Sequence, residues 1–246
     1  RLKSVGELRG KADFLVVATN TETHLDAIEL AMKLAPKLIL LEKPVDISLS
    51  RSSEILQIQN KFGIPIVVNY QRNCDPVFRD IRERVINKRV SSETRIVAFF
   101  SGEWLNIGSH LVSLTQFLFG DKDVKSLYSN LRDDILILSS PYGKAHIVNL
   151  GDGKENVFVM RIHGSDMHIE YDSEKSTLRN FMAKNHDVFL GERYWDSDGE
   201  VKNLNANMGL TNVYLNIIRY FEKQSHSLTS LSSALKTMEF LAPGSE

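Results

Sequence analysis

The chain carries a single cysteine, Cys74, among 246 residues. One thiol excludes an internal disulfide and any cysteine-based zinc site, and it fits a reducing cytoplasm. Net charge is nearly absent as well: 30 Lys and Arg against 31 Asp and Glu leave −1. That balance offers no electrostatic case for nucleic acid or an anionic membrane surface. The one basic cluster, residues 79–89, is interleaved with Asp80 and Glu83 at helical spacing, which is the pattern of a solvated helix face. No apolar run approaches the ~20 residues that cross a bilayer, and no signal peptide is visible. No G-x-S-x-G and no His-Glu-x-x-His occurs, so hydrolase and metalloprotease readings lack a nucleophile or a ligand set. The dinucleotide fingerprint G-x-G-x-x-G is missing too.

What is present is a globular composition, 42% hydrophobic and 25% charged, long enough for one large domain or two ordinary ones. The first part alternates strand and helix. A buried strand is expected at 13–18, a helix at 22–34 with Thr21 as its cap, and a strand at 38–41. A helix at about 48–61, capped by Ser48 or Ser50, and a strand at 65–69 follow. This β-α-β-α-β run implies parallel strands with right-handed crossovers.

After Arg72 the rhythm changes. A helix at 75–87 and a strand at 94–100 precede an amphipathic helix at about 106–119, which Gly120 ends. From there the pattern is mostly strand: 123–131, 134–139, 144–150, 155–163, 167–172 and 176–182. Residues 185–208 read as a long polar loop, and helices at 209–224 and 228–241 close the chain. The expectation is α/β followed by α+β.

Chemistry is expected where parallel strands end, because ligands of open α/β sheets bind outside those carboxyl ends. Strand 38–41 ends in Glu42-Lys43-Pro44. Pro44 restricts Lys43 to an extended conformation and so aims its ammonium, which can exchange a proton with a substrate hydroxyl. Thr19, Asn20 and Thr21 form the turn after the first strand. Tyr70, Gln71 and Arg72 end the third, and Arg72 could meet a substrate phosphate or carboxylate, although a salt bridge to Asp75 is the commoner fate. Asn106 and His110, four apart, share one face at a helix start, where the macrodipole disfavours a protonated imidazole. A neutral histidine suits proton transfer. His163 and His168 flank a turn holding Asp166, and read as exposed polar residues rather than a metal site. Phe99, Phe100 and Trp104, near Arg95, read as core.

The segments "ATNTETH", "LLEKP", "VNYQR" and "NIGSHLVSL", in this order, resemble the glucose–fructose oxidoreductase / inositol dehydrogenase (Gfo/Idh/MocA) family of NAD(P)-dependent sugar oxidoreductases. Weaker likeness continues through "RIHGSDMHIEYD" to the last helix. The resemblance implies a partial Rossmann-like parallel sheet in a remnant dinucleotide-binding domain, residues 1–72. A C-terminal α+β domain for substrate and oligomerisation would follow, residues 73–246, with a large, mostly antiparallel, open-faced sheet. It also implies that the glycine-rich front of the nucleotide domain, roughly 60 residues at ~30 per βαβ unit, is lacking.

By the same resemblance, Lys43, His110 and Asn106 are catalytic, and Thr19, Asn20, Thr21, Glu42, Lys43 and Gln71 hold NAD or NADP. Arg72, Asn106 and His110 would hold a sugar or polyol. Asn106 and Ser113 stand where the family usually carries aspartates, and two neutral side chains there leave the site without its usual negative charge. His24 belongs to the family signature and is read as structural. The resemblance further implies homo-oligomers formed through the open sheet face; no metal, nucleic-acid or membrane partner is expected. A non-catalytic binding or regulatory protein on the same scaffold, or an inactive truncated form, is the alternative.

Overall fold

The computed structural model describes residues 12–87, 94–121, 123–151, 155–164, 167–196, 199–204 and 208–242. β1 (Phe14–Val17) leads through a 3-10 turn at Thr21–Thr23 to α1 (His24–Met32), β2 (Leu38–Leu41), α2 (Leu49–Phe62) and β3 (Ile66–Val68). A 3-10 turn at Gln71–Cys74 precedes α3 (Pro76–Asn87), β4 (Thr94–Phe100), a π-helical turn at Trp104–Gly108 and α4 (Ser109–Leu118). Next come β5 (Lys125–Asn130), β6 (Ile135–Ser140), β7 (Gly143–Asn149), β8 (Phe158–Gly164), β9 (Met167–Asp172) and β10 (Thr177–Phe181). The remainder is β11 (Ala183–Asn185), β12 (Arg193–Trp195), β13 (Glu200–Asn203), α5 (Gly209–Phe221), β14 (Thr229–Ser230) and α6 (Leu231–Leu241).

The first sheet runs β1-β2-β3-β14, with the first three strands parallel and β14 antiparallel to β3. β2 is four consecutive apolar residues because it is buried on both faces, as a central parallel strand must be. Ile39 and Leu41 pack with Ile28 of α1, Ile55 of α2 and Leu235 and Met238 of α6. Leu38 and Leu40 face the other way, onto Val213 and Ile217 of α5. The last two helices therefore return to the first sheet. β1 is an edge among the described residues and leaves Val16 44% exposed, which corrects its reading as a buried strand.

The second sheet runs β13-β10-β9-β8-β4-β7-β6-β5, antiparallel throughout except for the β4–β7 pair. Strict alternation along β4 turns Ile96, Ala98 and Phe100 inward to α3 and α4, and Arg95, Val97 and Phe99 outward. A parallel α/β unit followed by a large, mostly antiparallel sheet is the fold class the sequence pattern implied.

Three local expectations are corrected. Residues 185–208 are not one loop: β11 and β12 pair as a hairpin, and β13 adds to the large sheet beside β10. Their short, polar strands lack the apolar alternation that would announce them. Thr21 does not cap α1 but opens the 3-10 turn, in which Thr23 N–H donates to the Asn20 carbonyl at 2.9 Å. The amphipathic helix begins as a π-helical turn, so Asn106 precedes α4 proper.

His163 and His168 are directly opposite on β8 and β9, with their Nδ1 atoms 2.9 Å apart. His168 also packs against Phe181 and Trp195. They are thus a packed pair rather than free turn residues, because directly opposed strand positions bring their side chains together. Among the described residues no group of three potential metal ligands occurs. Asp166 lies outside the described residues.

Candidate functional site

The carboxyl ends of β1, β2 and β3 all point to one side, and each delivers a polar turn there. Thr19, Asn20 and Thr21 follow β1; Glu42, Lys43 and Pro44 follow β2; Asn69, Tyr70, Gln71 and Arg72 follow β3. Across from them, the π-helical turn and the first residues of α4 bring Asn106 and His110 from the side of the large sheet. A cleft of about 590 Å³ lies between, lined by Thr19, Asn20, Thr21, Lys43, Pro44 and Asn106, with Glu22 and Glu103 at its edge.

Lys43 is the bridge. Its Nζ donates to Asn106 Oδ1 at 2.6 Å and to the Asn106 carbonyl at 3.3 Å. The Lys43–Pro44 peptide is cis. Burial holds the ammonium below the ordinary lysine range; Glu42 opposes that shift and Arg72 adds to it. Glu42 turns away from the cleft: its Oε1 accepts from Asn69 Nδ2 at 2.6 Å and its Oε2 from the Lys43 backbone N–H at 3.3 Å. Asn69 thus fixes the carboxylate that balances Lys43, a role with no signal in the sequence beyond its place at a strand end.

His110 meets the Tyr70 ring edge-on, centroids 5.7 Å apart. Burial pushes its imidazole well below 6.5, and the charges of Arg72 and Lys43 push it further. The neutral ring expected from the helix dipole is therefore set chiefly by burial and by two cations. The structure brings Lys43 and Asn106 together at the cleft; His110 packs against Tyr70, within reach of the charges of Lys43 and Arg72, and is not among the residues that line the cleft.

His24 is fully buried in the adjoining wall. Its Nδ1 lies 3.0 Å from the Val45 carbonyl and its Nε2 lies 3.2 Å from the Thr19 carbonyl. The ring therefore fastens the turn after β1 to the segment after Lys43. Ser113 is buried as well and lies off the cleft: its hydroxyl accepts from Asn73 Nδ2 at 3.0 Å, and Asn73 also reaches Thr229 Oγ1 at 2.9 Å. Its neutral hydroxyl serves the packing between α4 and the turn after β3.

Gln71 and Arg72 stand apart from the Thr19 cleft and line a smaller pocket of about 150 Å³ with Tyr171, Ser173 and Gly209. Arg72 donates from Nε to Tyr171 Oη at 3.2 Å and from Nη2 to Ser173 Oγ at 3.0 Å, and it lies 4.0 Å over the Phe158 ring. The expected salt bridge to Asp75 is not formed: Asp75 accepts from the Val77 N–H at 2.9 Å at the start of α3. Its pKa is raised, chiefly by burial, with Asp80 adding to the rise and no contribution from Arg72.

A parallel α/β unit whose strand ends present a lysine to a cleft thus faces an open-sheet unit that carries a histidine at a helix start. No family model matches the chain. A myo-inositol dehydrogenase, Hyg17, of Streptomyces leeuwenhoekii is 35% identical over 88 residues, which is 35% of this chain and 27% of the relative. The inositol 2-dehydrogenase of Rhizobium meliloti (strain 1021) is 26% identical over 133 residues, covering 48% of this chain and 40% of the relative. Each match thus spans less than half of the curated relative's length. Among solved structures, the dehydrogenase MviM of Clostridium difficile superposes with a TM-score of 0.72 at 14% identity, covering 98% of this chain and 80% of that one. The chain is thus similar in part of its sequence to inositol dehydrogenases and shares the fold of MviM.

Proposed function

We propose that the chain is a nicotinamide-dependent oxidoreductase acting on a hydroxyl-bearing carbon of a sugar or polyol. One observation carries the reading: Lys43, desolvated and held by Asn106 at 2.6 Å, lines the strand-end cleft, and the imidazole of His110, whose protonation burial disfavours, lies near enough to feel its charge. The inositol dehydrogenase activities of the two curated relatives support it.

The residues present fit a nicotinamide nucleotide, NAD or NADP. The cleft is roomy, and the hydroxyl and amide groups of Thr19, Asn20 and Thr21 on one wall match the sugar and phosphate portion of such a group. When bound, the nicotinamide supplies the hydride acceptor in oxidation and the donor in reduction. Lys43 takes or returns the hydroxyl proton, a role that the lowering of its pKa by burial favours. His110, uncharged, accepts a hydrogen bond from the same or the neighbouring hydroxyl. With its amide oxygen committed to Lys43, Asn106 offers its NH₂ to orient the polyol.

A cytoplasmic location and self-association complete the reading. Cys74 is buried, and burial pushes its thiol up to about 12, so it stays inert. The outward face of β4 and β8, with Val97, Phe99 and Val159, is not covered by any described helix and suits a second copy. No described helix is long and apolar enough to cross a membrane.

The test is a titration with NADH and NADPH followed by the fluorescence of Trp104 and Trp195, then incubation of myo-inositol with the oxidised cofactor. Micromolar binding and cofactor reduction that disappears in Lys43→Ala are expected. Absence of binding up to millimolar cofactor overturns the reading. A second reading, a sugar-binding or regulatory protein, is favoured by the neutral amide beside Lys43, and saturable sugar binding without turnover would establish it.

A further inference from the structure

Arg72 is a strand-end cation whose hydrogen-bond partners are all uncharged. Among the described residues it meets two hydroxyls and an aromatic ring, and no carboxylate pairs with it. A half-buried guanidinium without an anion is costly, because hydroxyl dipoles replace only part of its lost hydration. The surroundings are arranged to receive one. Tyr171 Oη and Ser173 Oγ each accept an N–H from Arg72, which leaves their own O–H protons free to donate elsewhere. The Nη1 protons of Arg72 have no partner among the described residues, so guanidinium and hydroxyl donors border the same small pocket; Asp75 lines it too, with a carboxyl group that accepts from the Val77 N–H and that burial pushes toward its neutral form. Its volume, about 150 Å³, suits a carboxylate or phosphate group rather than a whole sugar ring.

We propose that the substrate is an anionic sugar or polyol, a sugar acid or a sugar phosphate, whose charged group sits in the Arg72, Tyr171 and Ser173 pocket while a hydroxyl reaches Lys43 and His110. The inference rests on the polyol oxidoreductase reading and narrows its substrate class. Gln71 borders the same pocket, and Gly209 keeps it open: a Cβ at that position would overlap Gln71 Oε1. The two ends also communicate electrostatically, since the charge of Arg72 is among the causes that lower both Lys43 and His110. An anion beside Arg72 screens that charge and lets both groups rise, so substrate binding itself restores their ability to hold a proton.

The experiment compares myo-inositol, D-glucuronate, D-glucose 6-phosphate and inorganic phosphate as ligands of the full chain by calorimetry, in wild type, Arg72→Gln and Ser173→Ala. In wild type, glucuronate or glucose 6-phosphate is expected to bind about tenfold or more tighter than myo-inositol, as befits a hydrogen bond to a charged group. The tighter of the two distinguishes a carboxylate source from a phosphate source. Arg72→Gln should erase the preference, and Ser173→Ala, a milder change, should reduce it several-fold. Inorganic phosphate should compete with the tighter ligand in wild type and not in Arg72→Gln. Equal affinities for neutral and anionic ligands in wild type overturn the inference while leaving the polyol reading intact. A preference that survives in folded Arg72→Gln overturns it as well. Failure of every sugar and polyol to bind overturns the polyol reading itself, and this inference with it.

Discussion

Lys43 Nζ lies 2.6 Å from Asn106 Oδ1, a contact between residues 63 positions apart that joins the end of β2 to the turn before α4. The acceptor is a neutral amide, so it orients the ammonium without stabilising its charge as a carboxylate would. Position and proton affinity are thereby set by different neighbours: Asn106 sets the first, and burial with Arg72 and Glu42 sets the second.

Replacing Lys43 should separate chemistry from stability. Lys43→Ala is expected to cut turnover by roughly 10²–10⁴-fold, the span of general acid–base contributions. The ammonium is only half-buried, so the melting temperature should move by no more than a few degrees. Steady-state kinetics beside a thermal melt checks both, and a large loss of stability would make Lys43 structural.

Asn106→Asp places a carboxylate beside the ammonium and should raise the pKa of Lys43. If the free amine is the base in polyol oxidation, the rising limb of the pH–rate profile moves to higher pH in the variant. A profile of unchanged position would show that Lys43 does not control the proton step.

His110 predicts a pH dependence of stability. Its folded pKa lies well below the 6.5 of the unfolded chain. Above 6.5 neither state binds the proton and His110 contributes no slope. Below 6.5 the unfolded chain takes up a proton that the native ring refuses. Stability then falls by up to about 1.4 kcal/mol per pH unit, until the folded pKa is reached. Denaturant melts of wild type and His110→Gln between neutral pH and mildly acidic pH should differ by this slope. Parallel curves would contradict it.

His24→Ala removes the ring that lies 3.0 Å from the buried Val45 carbonyl and 3.2 Å from the Thr19 carbonyl. One unpaired buried group costs about 1–3 kcal/mol, and a loss of that order is expected. Cofactor affinity should fall as well, since the Thr19 turn is released from the lysine segment. Urea unfolding and nicotinamide titration of the same variant test the two consequences together.

Gly143→Ala should be severe. A Cβ there would fall onto the Thr94 carbonyl oxygen in the β4–β7 ladder, and backbone cannot swing aside as a side-chain end can. A loss of about 3 kcal/mol or more, or failure to fold, is expected. A stable Gly143→Ala protein would mean that the parallel pairing differs from the register Thr94↔Gly143.

The sequence was most legible where one physical rule dominates. β2, β4 and β9 appear with the residue boundaries their apolar runs and alternation predict, because burial on one or both faces leaves a periodic trace. The polar strands β11, β12 and β13 left no such trace, since their exposed side chains obey no core. Hairpin geometry lets His163 and His168 approach, but that they stand directly opposite, packed rather than exposed, depends on the register of β8 against β9, which composition does not encode.

By itself, then, the sequence determined the strand–helix alternation, the motif lysine at a strand end, and the Asn106 and His110 spacing at a helix start. Those are local properties, written in hydrophobic period and in the stereochemistry of a few residues. Only the tertiary structure decided that Asn106 holds Lys43 rather than a free hydroxyl, that Ser113 belongs to the packing, and that Arg72 pairs with hydroxyls instead of Asp75. Desolvation and charge–charge coupling act through space between segments far apart in the chain, and they take a value only when the fold sets those distances.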